Sequence, residues 1–333
     1  MKTELIRQNA GFDVSKDDFK VSLCVMDIEL GVQVKCSHSF DNNLSGFKKF
    51  AQWVDRKKVG ELAVAVTMEA TGVYYEDLAY FLLEQHFEVS VVLPSQAKKY
   101  IQSLGLKSKT DKIDAQALSR MGLERKLRIW QPLGTIFLQL KQLTREREAI
   151  VCERTRSCNQ MHAYRHQAKS NQQSINRCLE HIAFLDQHIK EIEKEIADIV
   201  RQDEALTNKL KFLLSIPGVG LLTAVIIVAE TNGFATISGI KQLTSFAGMD
   251  VKLAESGKWK GKSKISKKGN SHIRKALYMS AFSKIQNDEA TRNCYQELKQ
   301  KKGKGMIAAV AIQRKLLGLI YTLWKKEEMF VAA

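Results

Sequence analysis

Four acids stand where they could do chemistry. Asp13 falls in the first apolar stretch, Glu69 closes the run Leu62-Ala63-Val64-Ala65-Val66 ahead of Ala70-Thr71-Gly72, and Asp111 and Asp114 lie one helical turn apart. An acid ending a buried strand needs a partner or a cation, and carboxylates that converge repel one another unless a cation neutralises them. Mg2+ suits such a set, because it takes oxygen ligands and keeps positions open for water and phosphate. Two ions about 3.5–4 Å apart would flank a scissile phosphate. Taken singly, Asp111 and Asp114 are also at home at a helix N-terminus, and Asp13 at a turn. Glu69 resists so plain an account.

A second group is basic. Between Lys252 and Lys275 the chain carries Lys258, Lys260, Lys262, Lys264, Lys267, Lys268 and Arg274, opposed only by Glu255 and interspersed with Gly257, Gly261, Gly269 and Trp259. Such a loop can follow a phosphate backbone and stack a base. Ser256, Ser263, Ser266 and Ser271 lie within it. A serine hydroxyl is a poor nucleophile without a base or a metal, and residue types alone do not choose among the four. Upstream, the turn Ile216-Pro217-Gly218-Val219-Gly220 leads into the apolar stretch Leu221 to Ala229. Gly218 and Gly220 would let backbone amides at a helix start approach a phosphate, as in a helix-hairpin-helix element, or would simply make a tight turn before a core helix. Cys158, His162 and His166 share a helical face, but with no fourth ligand in evidence they read as solvated polar residues.

The composition points the same way as the loop. Lys and Arg number 52 against 36 Asp and Glu, a net charge of +16, with an isoelectric point near 9.5. That excess calls for a polyanionic partner, nucleic acid first. An anionic membrane is the rival, but no uninterrupted apolar run of about 20 residues and no cleavable N-terminal signal is present. The expectation is a soluble protein of the bacterial cytoplasm acting at the nucleoid. The six scattered cysteines, with no C-x-x-C pair, read as reduced thiols.

The elements that must hold these residues follow from the pattern. Ala10 to Ser15, Phe19 to Asp27 and Val32 to Phe40 are β-rich and separated by turn residues, which predicts an antiparallel meander. Gly46 to Lys58 and Tyr75 to Gln85 have helical spacing, Leu62 to Glu69 and Glu88 to Leu93 suit buried strands, and Asp111 to Leu123 is rich in helix formers. The order β-β-β-α-β-α-β-α is that of an RNase H-like α/β domain, in which the ends carrying all four acids meet at one sheet edge. Thr135 to about Ala205 has no Pro or Gly, and Ile175, Cys178, Ile182, Leu185, Ile189, Ile192, Ile196 and Ile199 follow the three-four spacing of a coiled-coil seam. Two helices joined near Lys169 to Gln173 would form an antiparallel arm, or a hairpin folded onto the body. The expected division is residues 1–133, an arm 134–205, and a mostly helical, all-α domain 206–333.

Six motifs in order carry a resemblance over nearly the whole chain. Gly11-Phe12-Asp13-Val14-Ser15-Lys16, Glu69-Ala70-Thr71-Gly72-Val73-Tyr74 and Lys109-Thr110-Asp111-Lys112-Ile113-Asp114-Ala115 resemble the RuvC-like DEDD motifs of the insertion-sequence 110 (IS110/IS1111) transposases, the bridge-RNA-guided recombinases. Ile216-Pro217-Gly218-Val219-Gly220, Glu255-Ser256-Gly257 and Ile265-Ser266-Lys267-Lys268-Gly269-Asn270 resemble the motifs of that family's C-terminal transposase domain. The resemblance implies that Asp13, Glu69, Asp111 and Asp114 hold Mg2+ and that Ser256 attacks DNA to form a phosphoserine link. It also implies a coiled coil joining protomers into a dimer or tetramer, an active site shared between subunits, and a structured guide (bridge) RNA from the same element that selects donor and target DNA. Base pairing would then read sequence while the protein grips backbones. A hydrolytic Holliday-junction-type nuclease would explain the acids and the charge but leave Glu255-Ser256-Gly257 idle. A non-catalytic nucleic-acid-binding protein should have lost members of the tetrad.

Overall fold

The computed structural model describes residues 4–106, 108, 110–252, 255–256, 259–261 and 264–331, with backbone alone at 255, 256, 259 and 260. The chain divides into two compact units, Met1–Pro132 and Leu133–Ala333.

The first unit is a mixed sheet between helices. Strands β1 (Leu5–Val14), β2 (Asp18–Asp27) and β3 (Val32–Asp41) form the antiparallel meander. Helix α1 (Leu44–Lys57), β4 (Val64–Glu69), α2 (Glu76–Glu84), β5 (Val89–Val92), α3 (Pro94–Ser103) and α4 (Asp111–Glu124) follow. β4 and β5 run parallel to β1, giving the strand order β3-β2-β1-β4-β5 expected of the RNase H-like arrangement. Phe12 of β1, Phe19 of β2 and Phe50 of α1 are fully buried, with the Phe12 and Phe50 rings edge to face at 4.9 Å. Truncating any one should cost about 3–5 kcal/mol.

Two differences from the sequence expectation have physical causes. The first strand begins at Leu5, five residues before the apolar stretch, because its polar residues are buried with partners. Gln8 exchanges hydrogen bonds with the backbone of Val59 and Leu62, and Asn9 Nδ2 donates to Thr67 Oγ1 at 3.1 Å. α3 has no counterpart in the expected elements: β5 ends just before Pro94, as expected of a strand stop, but Pro94 also starts a helix, where its missing N–H costs nothing.

The second unit is mostly helical. Helices α5 (Thr135–Arg165) and α6 (Gln172–Gln202) run antiparallel, with the Arg147–Glu193 and Arg154–Asp186 ion pairs between them. Ile175, Ile182, Leu185, Ile192 and Ile196 of α6 are buried, while Cys178, Ile189 and Ile199 are half-buried, so α5 of the same chain takes up the seam. The root of this hairpin is part of a larger core: Leu140, Ile192, Ile196 and Val200 pack with α7 (Glu204–Leu214), α8 (Leu221–Glu230) and the helices after them. Those are α9 (Ile240–Phe246), α10 (Ser271–Asn287), α11 (Glu289–Lys302) and α12 (Gly305–Lys326). By length and composition α12 could cross a membrane, but half of its apolar window is buried, and Ile312, Leu316, Leu317 and Ile320 serve this core. Between α9 and α10 four short strands pair as two ladders, β6 (Val251–Lys252) with β9 (Lys264–Ile265) and β7 (Glu255–Ser256) with β8 (Trp259–Lys260).

α4 sits on β1 at backbone-to-backbone range. A Cβ on Gly11 would lie 2.1 Å from Ser119 N and 2.2 Å from Ala115 O, both backbone atoms of α4. Neither can yield as a side-chain tip would. Gly11→Ala is therefore expected to lower stability by roughly 3 kcal/mol, the upper end for overpacking. A thermal melt of the full chain in which Gly11→Ala unfolds like wild type would contradict this close approach.

Candidate active site

The acids are placed by three elements that end together. Parallel pairing of β1 and β4 sets Phe12 beside Met68, so Asp13 and Glu69 follow one residue later on adjacent strands. α4 runs antiparallel to β1 along its length: Ala115 and Ser119 touch Gly11, Ser119 Oγ donates to Asn9 O at 2.5 Å, and Arg7 Nη1 donates to Leu123 O. At about 1.5 Å per helical residue and 3.3 Å per strand residue, the first turn of α4 comes level with Asp13. Thr110 caps that turn, its side chain accepting from Ile113 N, and Asp111 and Asp114 are the acids in it. All four acids thus belong to one end of the sheet. Asp111 is exposed and the other three half-buried.

Asn42, which the sequence did not flag, links two loops at this end. Its Nδ2 donates to Ser15 O at 2.9 Å, just past β1, and to Tyr74 O at 3.0 Å, just past β4. Glu69 Oε1 accepts from Thr71 Oγ1 at 3.3 Å. As donors the four carboxylates suit a hard divalent cation, since they offer oxygen alone. Among the described residues, however, no three His, Cys, Asp or Glu side chains gather closely enough to hold a metal ion. That applies equally to Cys158, His162 and His166: the two histidine rings lie 4.1 Å apart and tilted by 37°, and His166 Nδ1 faces His162 O.

The serine loop belongs to the second unit. Ser256 pairs with Trp259 across the β7–β8 ladder. Lys260 is in β8, Lys258, Lys262 and Ser263 lie outside the described residues, and Lys264, Lys267 and Lys268 are exposed. Ser266 Oγ donates to Asp250 Oδ1 at 2.5 Å, which fits it for bracing the loop. Arg274 Nη1 donates to the carbonyls of Ala247, Gly269 and Asn270 and ties the two sides of the loop base together. Gly218 has φ +86, and a Cβ there would lie 2.7 Å from Lys284 N and Ser280 O, so close packing on α10 requires a glycine there. Gly220 is the exposed N-cap of α8.

Comparison with known proteins now decides the family. The family profile described as "Transposase", for DEDD transposases of the IS110 kind, matches residues 10–168, and that described as "Transposase IS116/IS110/IS902 family" matches residues 210–296. The chain belongs to the IS110 family of transposases. The pilin gene-inverting protein of Moraxella bovis is 27% identical over 326 residues, covering 96% of each chain. The transposase for insertion sequence element IS1111A of Coxiella burnetii is 23% identical, covering 96% of this chain and 90% of its own. Among solved structures, Thermus thermophilus RuvC is 14% identical and covers 37% of this chain and 99% of its own, at a TM-score of 0.29. As a member of its family the protein is a DNA transposase, an enzyme that acts on DNA.

This transposase also holds a polar cluster that the sequence reading missed. Glu230, the last residue of apolar helix α8, has a side chain only 1% exposed. Arg145 of α5 meets it with two bonds, Nε to Oε1 at 2.7 Å and Nη2 to Oε2 at 2.9 Å, and Asn270 Nδ2 donates to Oε2 at 2.7 Å. One signal was available: an acid closing an apolar run, as with Glu69. Burial pushes the Glu230 carboxyl up, but the Arg145 and Asn270 donors outweigh it and hold it below the ordinary range. Because the folded value lies below the unfolded one, this stabilisation is present above about pH 4.3 and is lost as pH falls through the folded value. Glu230→Gln should cost about 2 kcal/mol at pH 7, less than a wholly buried pair because Arg145 is 45% exposed. That is roughly 4–8 °C in Tm. The gap from wild type should narrow as the pH drops below about 4, and a gap independent of pH would show that the charge plays no part.

Proposed function

We propose that the protein is an RNA-guided recombinase that cuts and rejoins donor and target DNA through a phosphoserine intermediate at Ser256. The observation that carries the reading is the coexistence of two sets of groups in one chain: four acids at one end of an RNase H-like sheet, and a serine in a basic loop on a separate unit. Asp13, Glu69, Asp111 and Asp114 would hold Mg2+, drawn together by the ion as it binds. Bound there, the metal would supply charge neutralisation for the phosphate and lower the pKa of a coordinated hydroxyl. In the covalent step the Ser256 oxygen gains the phosphorus and loses its proton to base. The deoxyribose oxygen that leaves takes up a proton. Rejoining is the reverse reaction with a deoxyribose hydroxyl of a new strand, so the phosphoester is conserved and no high-energy cofactor is consumed. Lys260, Lys264, Lys267 and Lys268, with Lys258 and Lys262 beside them in sequence, would offset phosphate charge, and Gly220 would contribute a helix-start amide.

A relative named for gene inversion favours rejoining over hydrolysis, since an inverted segment must be resealed. The basic excess suits both DNA and a structured guide RNA from the same element, with base pairing supplying specificity. The helical hairpin would join protomers into a dimer or tetramer. Its seam is closed within the chain, but Leu179 and Phe184 on α6 are exposed and available for that contact. The site of action would be the bacterial nucleoid.

Three measurements test this. Asp13→Ala, Glu69→Ala, Asp111→Ala and Asp114→Ala are each expected to abolish strand exchange while nucleic-acid binding persists, because the phosphate grip comes from Lys and Arg; Asp111→Ala is expected to be equally or slightly less severe. Activity that survives a chelator would refute the metal reading. Labelled DNA run on a denaturing gel should show a protein adduct with wild type and none with Ser256→Ala, and an adduct mapping to Ser263 or Ser266 would overturn the assignment. The protein should also prefer RNA from its own locus over unrelated folded RNA at physiological salt. Equal binding of both would remove the guide.

A further inference from the structure

We propose that Asn270, backed by Glu230 and Arg145, is a positioning residue that sets the Ser256 loop from helix α5; this rests on the reading of Ser256 as nucleophile. The loop stands on a stem of paired backbone. β6 pairs with β9, Ser266 N donates to Asp250 O at 2.8 Å, Lys267 N to Gly248 O at 2.9 Å, and Asn270 N to Phe246 O at 2.7 Å. Asn270 is therefore both the last rung of the stem and the N-cap of α10. Its side chain works in both directions: Oδ1 accepts from Ile273 N at 3.0 Å to start the helix, and Nδ2 donates to the buried Glu230 carboxylate.

Behind Glu230 stands Arg145 of α5, and one turn further along α5 Glu148 accepts from His272 Nδ1 and Lys275 Nζ of α10. Residues three apart share a helix face, so one face of α5 grips the first turn of α10 at two levels. A well-packed apolar set could match a buried ionic cluster in stability. What the hydrogen bonds add is direction, since each donor must point at its acceptor, and this fixes where the stem leaves the core. Polar side chains closing a stem on the same unit as the serine are therefore an alignment device, and an error of about 1 Å in a reacting group can cost 10²-fold in rate.

The test reverses the polarity of one hydrogen bond. Asn270→Asp keeps the cap acceptor but sets a second carboxylate against Glu230, whereas Asn270→Asp combined with Glu230→Gln restores a donor and an acceptor with their roles exchanged. Asn270→Ser keeps the cap and loses the reach to Glu230. Adduct formation at saturating DNA is expected to fall about 10–100-fold in Asn270→Asp and Asn270→Ser, with DNA Kd unchanged, and to recover at least tenfold in the double variant. If the double variant stays as slow as Asn270→Asp, or if the single variants form adduct at the wild-type rate, the positioning role is overturned. If wild type itself forms no adduct at Ser256, the nucleophile reading fails and this inference with it. A Tm for each variant separates slow chemistry from unfolding.

Discussion

The backbone contact between α4 and β1 is the constraint on which the first unit depends. Two chains of peptide groups approach at Gly11 more closely than any side chain would permit, and at Gly122 α4 closes on side chains of both strands, where a Cβ would lie 2.2 Å from Thr67 Oγ1 of β4 and 2.3 Å from Asn9 Nδ2 of β1. A helix seated so deeply cannot slide along its strand. The acids at its first turn are therefore indexed to the acid on β1, and parallel pairing indexes that acid to the one on β4. Three elements distant in sequence acquire a common end through backbone pairing and the close seating of α4 on β1.

Much of this was legible in the sequence because apolar periodicity is local. The meander, β4 ending at Glu69 and the helix that opens at Asp111 all follow from residue types within a few positions, and the long seam on α6 follows from its spacing. What escaped notice depended on partners far away. Leu5 to Asn9 looks polar because Gln8 and Asn9 are paid for by Val59, Leu62 and Thr67, more than fifty residues on. The carbonyls that Arg274 ties together and the α10 backbone packed on Gly218 come from residues that no local pattern reveals. Arg145, Glu230 and Asn270 are 85 and 40 residues apart, so only the fold assembles them.

The two units answer different demands of a reaction on nucleic acid. The first carries its four acids at strand and helix ends. The second carries basic residues on a short-stranded loop above a stem of paired backbone. The ties to the stem run to α5 and α8, both within the helical core.

The place of α12 in that core has a consequence for synthesis. Trp324 donates through Nε1 to Gly233 O at 3.1 Å, and Ile312, Leu316, Leu317, Ile320 and Leu323 fill the space beside α8, α9 and α10. The first unit is complete in sequence by Pro132, and α5 and α6 can pair from contacts between neighbours, so both can form while the ribosome is still at work. The core under the serine stem cannot close until α12 has emerged. A nascent or truncated chain would therefore carry its acids on a folded sheet well before the stem of its basic loop was anchored, and the transposase would be withheld from its host until α12 arrived.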